Sequence, residues 1–181
     1  MRHSVLVRVT HWLTAASFVA LAVSGVAILL AHPRLYWGET GALGAPSIVD
    51  LPLPMILTGQ SGWGRYLHFL AAWICVLTAF AYIPEGTRRG HFAKYTTAQR
   101  TAYRIVVFVL FPLMIWTGFA MSPAITSVFP LIVTVFGGQQ SARTIHFVAA
   151  NLLLAFSIGH VIMVSTTGFR QHVGAMIAGR T

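Results

Sequence analysis

Between Arg8 and His32 the chain runs for 23 residues, Val9 to Ala31, with no formal charge apart from any carried by His11. As a helix such a stretch covers roughly 35 Å, enough to cross the ~30 Å hydrocarbon layer of a bilayer. Three further stretches of the same character follow, at about residues 65–83, 103–122 and 143–168. In lipid every backbone N–H and C=O has to be satisfied within the protein, so long unbroken apolar runs fold there as helices. With 56% hydrophobic and only 8% charged residues, the chain has too little polar surface for a soluble globule. The expected fold is an all-α integral membrane protein, a single domain over residues 1–181 built as a four-transmembrane-helix bundle. Arg2 and Arg8 ahead of an apolar run would also suit a cleavable signal peptide. The run, however, exceeds the ~7–15 residues usual for the apolar part of such peptides and holds His11 and Trp12, so the first span is expected to remain in the mature protein.

The connections differ sharply from the spans. From Ala31 to Gly64 the chain carries Pro33, Pro46, Pro52 and Pro54 and six glycines, a punctuation that marks loop. Long ordered loops tend to be functional, and this one contains the run His32-Pro33-Arg34-Leu35-Tyr36-Trp37-Gly38-Glu39. Tyr36, Trp37 and Trp63 fit an interfacial aromatic belt equally well. Pro84 closes the second span, and a polar stretch over 84–104 follows. The third span contains Pro112 and Gly118, which predict a local kink. A second turn-rich connection, 122–142, has an apolar middle from Ile125 to Phe136 that is too short to span and is expected at the interface or packed on the helices. The tail after Gly168 reads as a short basic end. Four spans leave both termini on one side, which also carries Arg2, Arg8, Arg88, Arg89, Lys94, Arg100, Arg104, Arg170 and Arg180, nine basic residues against three on the other side, Arg34, Arg65 and Arg143. This bias places both termini and the middle loop in the cytoplasm and loops 32–64 and 122–142 in the periplasm. The +9 formal charge is therefore read as topology and not as a nucleic-acid footprint.

Four histidines fall inside the spans, and ionisable residues there are costly unless they have work to do. His146 and His160 lie fourteen residues apart in the fourth span. Fourteen helical steps return to within ~40° of the starting direction and advance roughly 21 Å, so both imidazoles look out of one face near opposite edges of the bilayer. His11, at the start of span one, shares the cytoplasmic depth of His160; His68, at the start of span two, shares the outer depth of His146. A lone intramembrane histidine is more often a buried polar residue bonded to a neighbouring helix, but four at two matched depths form two pairs. Two imidazoles fill both axial positions of a haem iron, an arrangement that favours electron transfer, and ligands from facing helices are an established way to build cofactor sites in a four-helix core. The expected ligand sets are His11 with His160 for a cytoplasmic haem and His68 with His146 for an outer one. Cys75 is the single cysteine and no C-x-x-C-H occurs, so covalent attachment is excluded and both haems are expected to be b-type. Gly25, fourteen residues after His11, falls at the outer depth, and Ala15, Ala22, Ala150 and Ser157 are small enough to leave room for a porphyrin. Arg8, Arg65 and Arg143 each precede a histidine by three residues. One turn nearer water is where a guanidinium could pair with a haem propionate, although ordinary anchoring of the span end explains each arginine taken singly. His3, His32, His91 and His172 fall in loops or tails.

Taken together, Arg8-x-x-His11-Trp12-Leu13, Gly64-Arg65-x-x-His68-Phe69 with Ala72-Trp73, Thr117-Gly118-x-x-Met121-Ser122-Pro123, and Arg143-x-x-His146 followed by His160 resemble the di-haem cytochrome b subunits grouped with bacterial cytochrome b561 and the nickel-iron hydrogenase b subunit. The resemblance covers essentially the whole chain, and its histidine spacing is the specific part. The run from His32 to Glu39 and the run Gly137-Gly138-Gln139-Gln140-Ser141-Ala142-Arg143 resemble the branch that anchors molybdopterin oxidoreductases. The chain lacks the fifth span of the hydrogenase-type subunit, which weakens a hydrogenase as partner.

The resemblance implies a multi-pass protein of the bacterial inner membrane that couples haem to quinone. It also implies that the quinone reacts beside the cytoplasmic haem, where the rim offers His3, Arg8, His91, Tyr95 and Arg104; His91 and Arg104 are the preferred contacts. The leading expectation is an electron conduit between membrane quinone and a periplasmic oxidoreductase, plausibly a molybdopterin enzyme, docked on loop 32–64 and the Gly137–Arg143 connection. The alternative for that loop is a lid over the outer haem. The alternative function is a self-contained quinone-linked enzyme such as a superoxide:quinone oxidoreductase, distinguished by whether a soluble redox protein co-purifies. A transporter or metal carrier using the intramembrane histidines is the non-redox alternative, and the colour of the purified protein separates it from the others.

Overall fold

The computed structural model describes residues 4–41, 45–51, 61–86 and 96–179, with the side chains of Ser61 and residues 83–86 left aside. Among these, four helices are long and apolar enough to cross a membrane: Val5–Ala31, Gly62–Tyr82, Thr97–Met121 and Gln139–Thr166. Their large apolar side chains face outward, Phe108 at 71% exposure and Leu70 at 61%, as expected of surfaces whose solvent is lipid. The all-α, four-span fold follows from the same apolar runs that announced it.

Two compact units form, and each is described by itself. In the first, α1 (Val5–Ala31) starts at Ser4, whose hydroxyl accepts from the Val7 N–H, a standard N-cap. It packs along α2 (Ser61–Gly86). Gly64, expected as loop punctuation, is a packing glycine instead. A Cβ there would lie 3.2 Å from Ala27 Cβ and 3.4 Å from the Ser24 carbonyl, so the two backbones approach closely only because the side chain is missing. Further along, Thr14 and Thr78 share a hydrogen bond of 3.1 Å. The unit is completed by the last part of α7 (Gln139–Thr166) and by α8 (Phe169–Ala178). The segment expected as a basic tail is thus helical, separated from α7 by Gly168 at φ 123° and closed by Gly179 at φ 70°, conformations that glycine adopts without steric cost.

In the second unit, Arg34–Leu35 (β1) pairs antiparallel with Val49–Asp50 (β2). The third span begins as α3 (Thr97–Ile105) with a capping box between Thr96 and Gln99. It passes through a π-helical turn at Val106–Leu110 and continues as α4 (Phe111–Met121). This turn lies where the sequence led to an expected kink. Pro112 has no N–H to give the Phe108 carbonyl, and the Phe111 N–H bonds instead to the Val106 carbonyl, five residues back. Two short helices follow, α5 (Pro123–Thr126) and α6 (Leu131–Thr134). Trp116 meets Phe136 edge-on at 6.3 Å, and Tyr103 meets Phe156 of α7 at 5.4 Å.

Candidate functional site

In the first unit His68 stands two turns into α2, with its Nδ1 3.0 Å from Ser24 Oγ on α1. Ser24 is 0% exposed, and its hydroxyl also donates to the Ala20 carbonyl at 2.7 Å. The next residue is Gly25, expected at the depth of this histidine, and a Cβ built there would meet His68 Cε1 at 3.8 Å. That is ordinary contact, so unlike Gly64 the glycine is not demanded by protein packing. His11 lies two turns into the same α1, with Trp12 edge-on to it at 5.3 Å. Fourteen residues separate His11 from Gly25, roughly 21 Å of helix, so His11 and His68 occupy two levels of the unit. His160, half-buried, lies two turns before the end of α7.

The second unit repeats the device. His146, two turns into α7, has Nδ1 2.8 Å from Thr117 Oγ1 on α4. Thr117 is likewise 0% exposed and donates to the Leu113 carbonyl at 2.7 Å. Gly118 follows, and its Cβ would meet His146 Cε1 at 3.8 Å. At both sites the imidazole is anchored through Nδ1, and a glycine leaves the space against its edge unclaimed by protein. Residues of this kind fit a flat prosthetic group bound through Nε2. Thr117-Gly118 was legible as part of a motif and Gly25 by its spacing; the two hydroxyls were not foreseen.

The arginines take varied places. Arg8 Nη1 donates to the Ile177 carbonyl at 2.8 Å and Trp12 Nε1 to the Met176 carbonyl at 3.2 Å. Both therefore satisfy the open carbonyls at the end of α8, where a cation also complements the helix dipole. Arg8, Val9, Trp12, Leu13, Met176 and Ile177 line a cavity of about 660 Å³. Arg65 is exposed one turn before His68, Arg143 is half-buried one turn before His146, and Arg104 is exposed in the last turn of α3. His91, His3 and Tyr95 lie outside the described residues.

The two connecting segments singled out in the sequence do meet in the second unit. The Gly38 N–H donates to Ser141 Oγ at 2.7 Å, the Gly38 carbonyl accepts from the Gln140 N–H at 3.0 Å, and Thr144 Oγ1 donates to the Tyr36 carbonyl at 2.7 Å. A Cβ at Gly138 would collide with the Gly38 carbonyl. Trp37 is left 59% exposed on this clasp. Arg34 pairs with Asp50 at 3.1 Å, and the carboxylate holds the guanidinium above its ordinary pKa.

The profile of the prokaryotic cytochrome b561 family matches residues 2–179. A protein of Azospira oryzae with the provisional name protein-methionine-sulfoxide reductase subunit YedZ1 is 26% identical over 197 residues, covering 90% of this chain and 89% of its own. No solved structure matches the chain.

Proposed function

Because the chain belongs to the prokaryotic cytochrome b561 family, and so is a multi-pass inner-membrane protein of haem b electron transfer, we propose that it holds two b haems and connects membrane quinone to a periplasmic oxidoreductase. The observation that carries the reading is the repeated site: an imidazole fixed through Nδ1 by a buried hydroxyl, beside a glycine that packing does not require. In this reading His11 and His160 would hold the cytoplasmic haem and His68 and His146 the outer one, a pairing argued from their matched places along the apolar spans of the sequence. Haem, when bound, would supply a one-electron couple, and a pair of histidines holding each haem would favour electron transfer over oxygen binding. Two buried hydroxyls orient two of the ligands in this reading, and the fourteen-residue spacing of His11 and Gly25 puts the two levels roughly 21 Å apart along a helix. Arg65 and Arg143, one turn nearer water than the outer ligands, are the candidate propionate partners there, and Arg8 is the candidate for the other level. Quinone is assigned to the cytoplasmic level, with His91 and Arg104 as its contacts.

The clasp between Tyr36–Gly38 and Gly138–Thr144 is the proposed docking surface. It joins both outer connections into one platform, and Tyr, Trp and Arg are residue types enriched at binding hot spots. The name of the Azospira oryzae relative supports a reductase as the partner. Electrons would then run from quinol through the cytoplasmic haem to the outer haem and out to the reductase, plausibly a molybdopterin enzyme. Replacing Tyr36 and Trp37 together with alanine tests this. Electron delivery to the co-expressed reductase should fall at least tenfold while the haem spectrum and midpoint potentials stay unchanged. A shifted potential with delivery preserved would instead make the loop a lid.

A further inference from the structure

Ser24 and Thr117 form equivalent contacts, each with a histidine ring inside its own unit. Each hydroxyl has one proton. Ser24 Oγ lies 2.7 Å from the Ala20 carbonyl and Thr117 Oγ1 lies 2.7 Å from the Leu113 carbonyl, each four residues back on its own helix. A carbonyl only accepts, so the hydroxyl proton is directed to it and the oxygen's lone pairs remain for the ring nitrogen. The partner at 3.0 Å in one case and 2.8 Å in the other is Nδ1, which must then carry the ring proton. In a neutral imidazole protonation at Nδ1 leaves the lone pair on Nε2, the nitrogen that would act as the ligand atom.

We propose that Ser24 and Thr117 are positioning residues that lock His68 and His146 into the Nδ1–H tautomer and strengthen both as iron ligands. This rests on the haem reading above and deepens it. An Nδ1–H bond to an acceptor raises the basicity of the opposite nitrogen and fixes the ring plane, so a ligated iron is stabilised more in its ferric than in its ferrous form. The glycine after each hydroxyl completes the device: the oxygen that holds the ring comes from one residue, and the room beside the ring from the next. The chain places a hydroxyl and then a glycine opposite a histidine twice, on α1 and on α4, for the two ligands assigned to one haem.

Redox titration of the purified protein, followed at the haem absorption bands, tests the assignment. Ser24→Ala and Thr117→Val should each raise the midpoint potential of one haem and leave the other unmoved, and Thr117→Ser, which keeps the hydroxyl, should hold the wild-type value. Retention of both haems with unshifted potentials in Ser24→Ala and Thr117→Val overturns the proposal while leaving the two-haem reading intact. If Thr117→Val loses a haem outright, Thr117→Ser must restore both the haem and its potential; a Thr117→Ser variant that fails like valine reduces the residue to packing and overturns the proposal. Shifts that fall on two different haems uphold the tautomer lock and break the pairing of His68 with His146.

Discussion

A histidine placed in lipid has to satisfy two ring nitrogens, and that requirement made the four ligand candidates legible in the sequence. Each is an ionisable residue inside a stretch otherwise free of charge. The hydroxyls that anchor two of them were not legible, for a physical reason. Serine and threonine in membrane helices routinely return their proton to the carbonyl four residues back, and Thr10, Thr78 and Ser157 all do so here. Nothing in the sequence separates Ser24 from these, and Thr117 stood in a quoted motif without a role for its hydroxyl; the approach of α2 to α1 and of α7 to α4 supplies that role. The proposed quinone contact belongs to the same scale. Arg104 is exposed at the end of α3, and His91 precedes it in the same polar stretch of the sequence. Alanine at both positions should slow quinol-driven haem reduction at least tenfold, with dithionite reduction complete as in the wild type. Normal quinol-driven rates would remove both residues from the site.

At the scale of elements, the long apolar runs gave their own helices, and the disagreements lie at the ends. α2 and α7 each begin about a turn earlier than the apolar stretches, because a helix does not stop where hydrocarbon does. Ser61 to Gly64 and Gln139 to Ala142 continue it into polar surroundings. α8 was hidden because its ten residues carry no span-length apolar signal, and its open carbonyls are closed by Arg8 and Trp12 from 160 residues or more away in the chain. The outer clasp offers the sharpest element-scale prediction. Gly138 has φ 125° and faces the Gly38 carbonyl, so Gly138→Ala adds both backbone strain and a collision, on the order of 1–3 kcal/mol or more. The loop should open, trypsin should cut after Arg34 several-fold faster than in the wild type, and the haem spectrum should be retained. Unchanged protection at Arg34 would mean that the clasp does not hold the loop.

For the whole molecule, composition already decided the solvent, and the exposed faces of the four spans are consistent with it. Family membership and four spans were written in the chain at several places at once, in apolar length, in histidine depth and in the placement of arginines. The two connections proposed to dock a partner were also singled out in the sequence, but their clasp on one another was not, because that contact joins residues as far apart as Tyr36 and Thr144. The central claim is that one chain carries two haems on two separate ligand pairs, and haem counting by alkaline pyridine spectroscopy in histidine variants tests it directly. Wild-type protein should give two b haems per chain. His11→Ala and His160→Ala should each retain one haem, the same one, and His68→Ala and His146→Ala should each retain the other, as identified by redox titration. Wild-type protein without haem, or His68→Ala and His160→Ala lacking the same single haem, would contradict it.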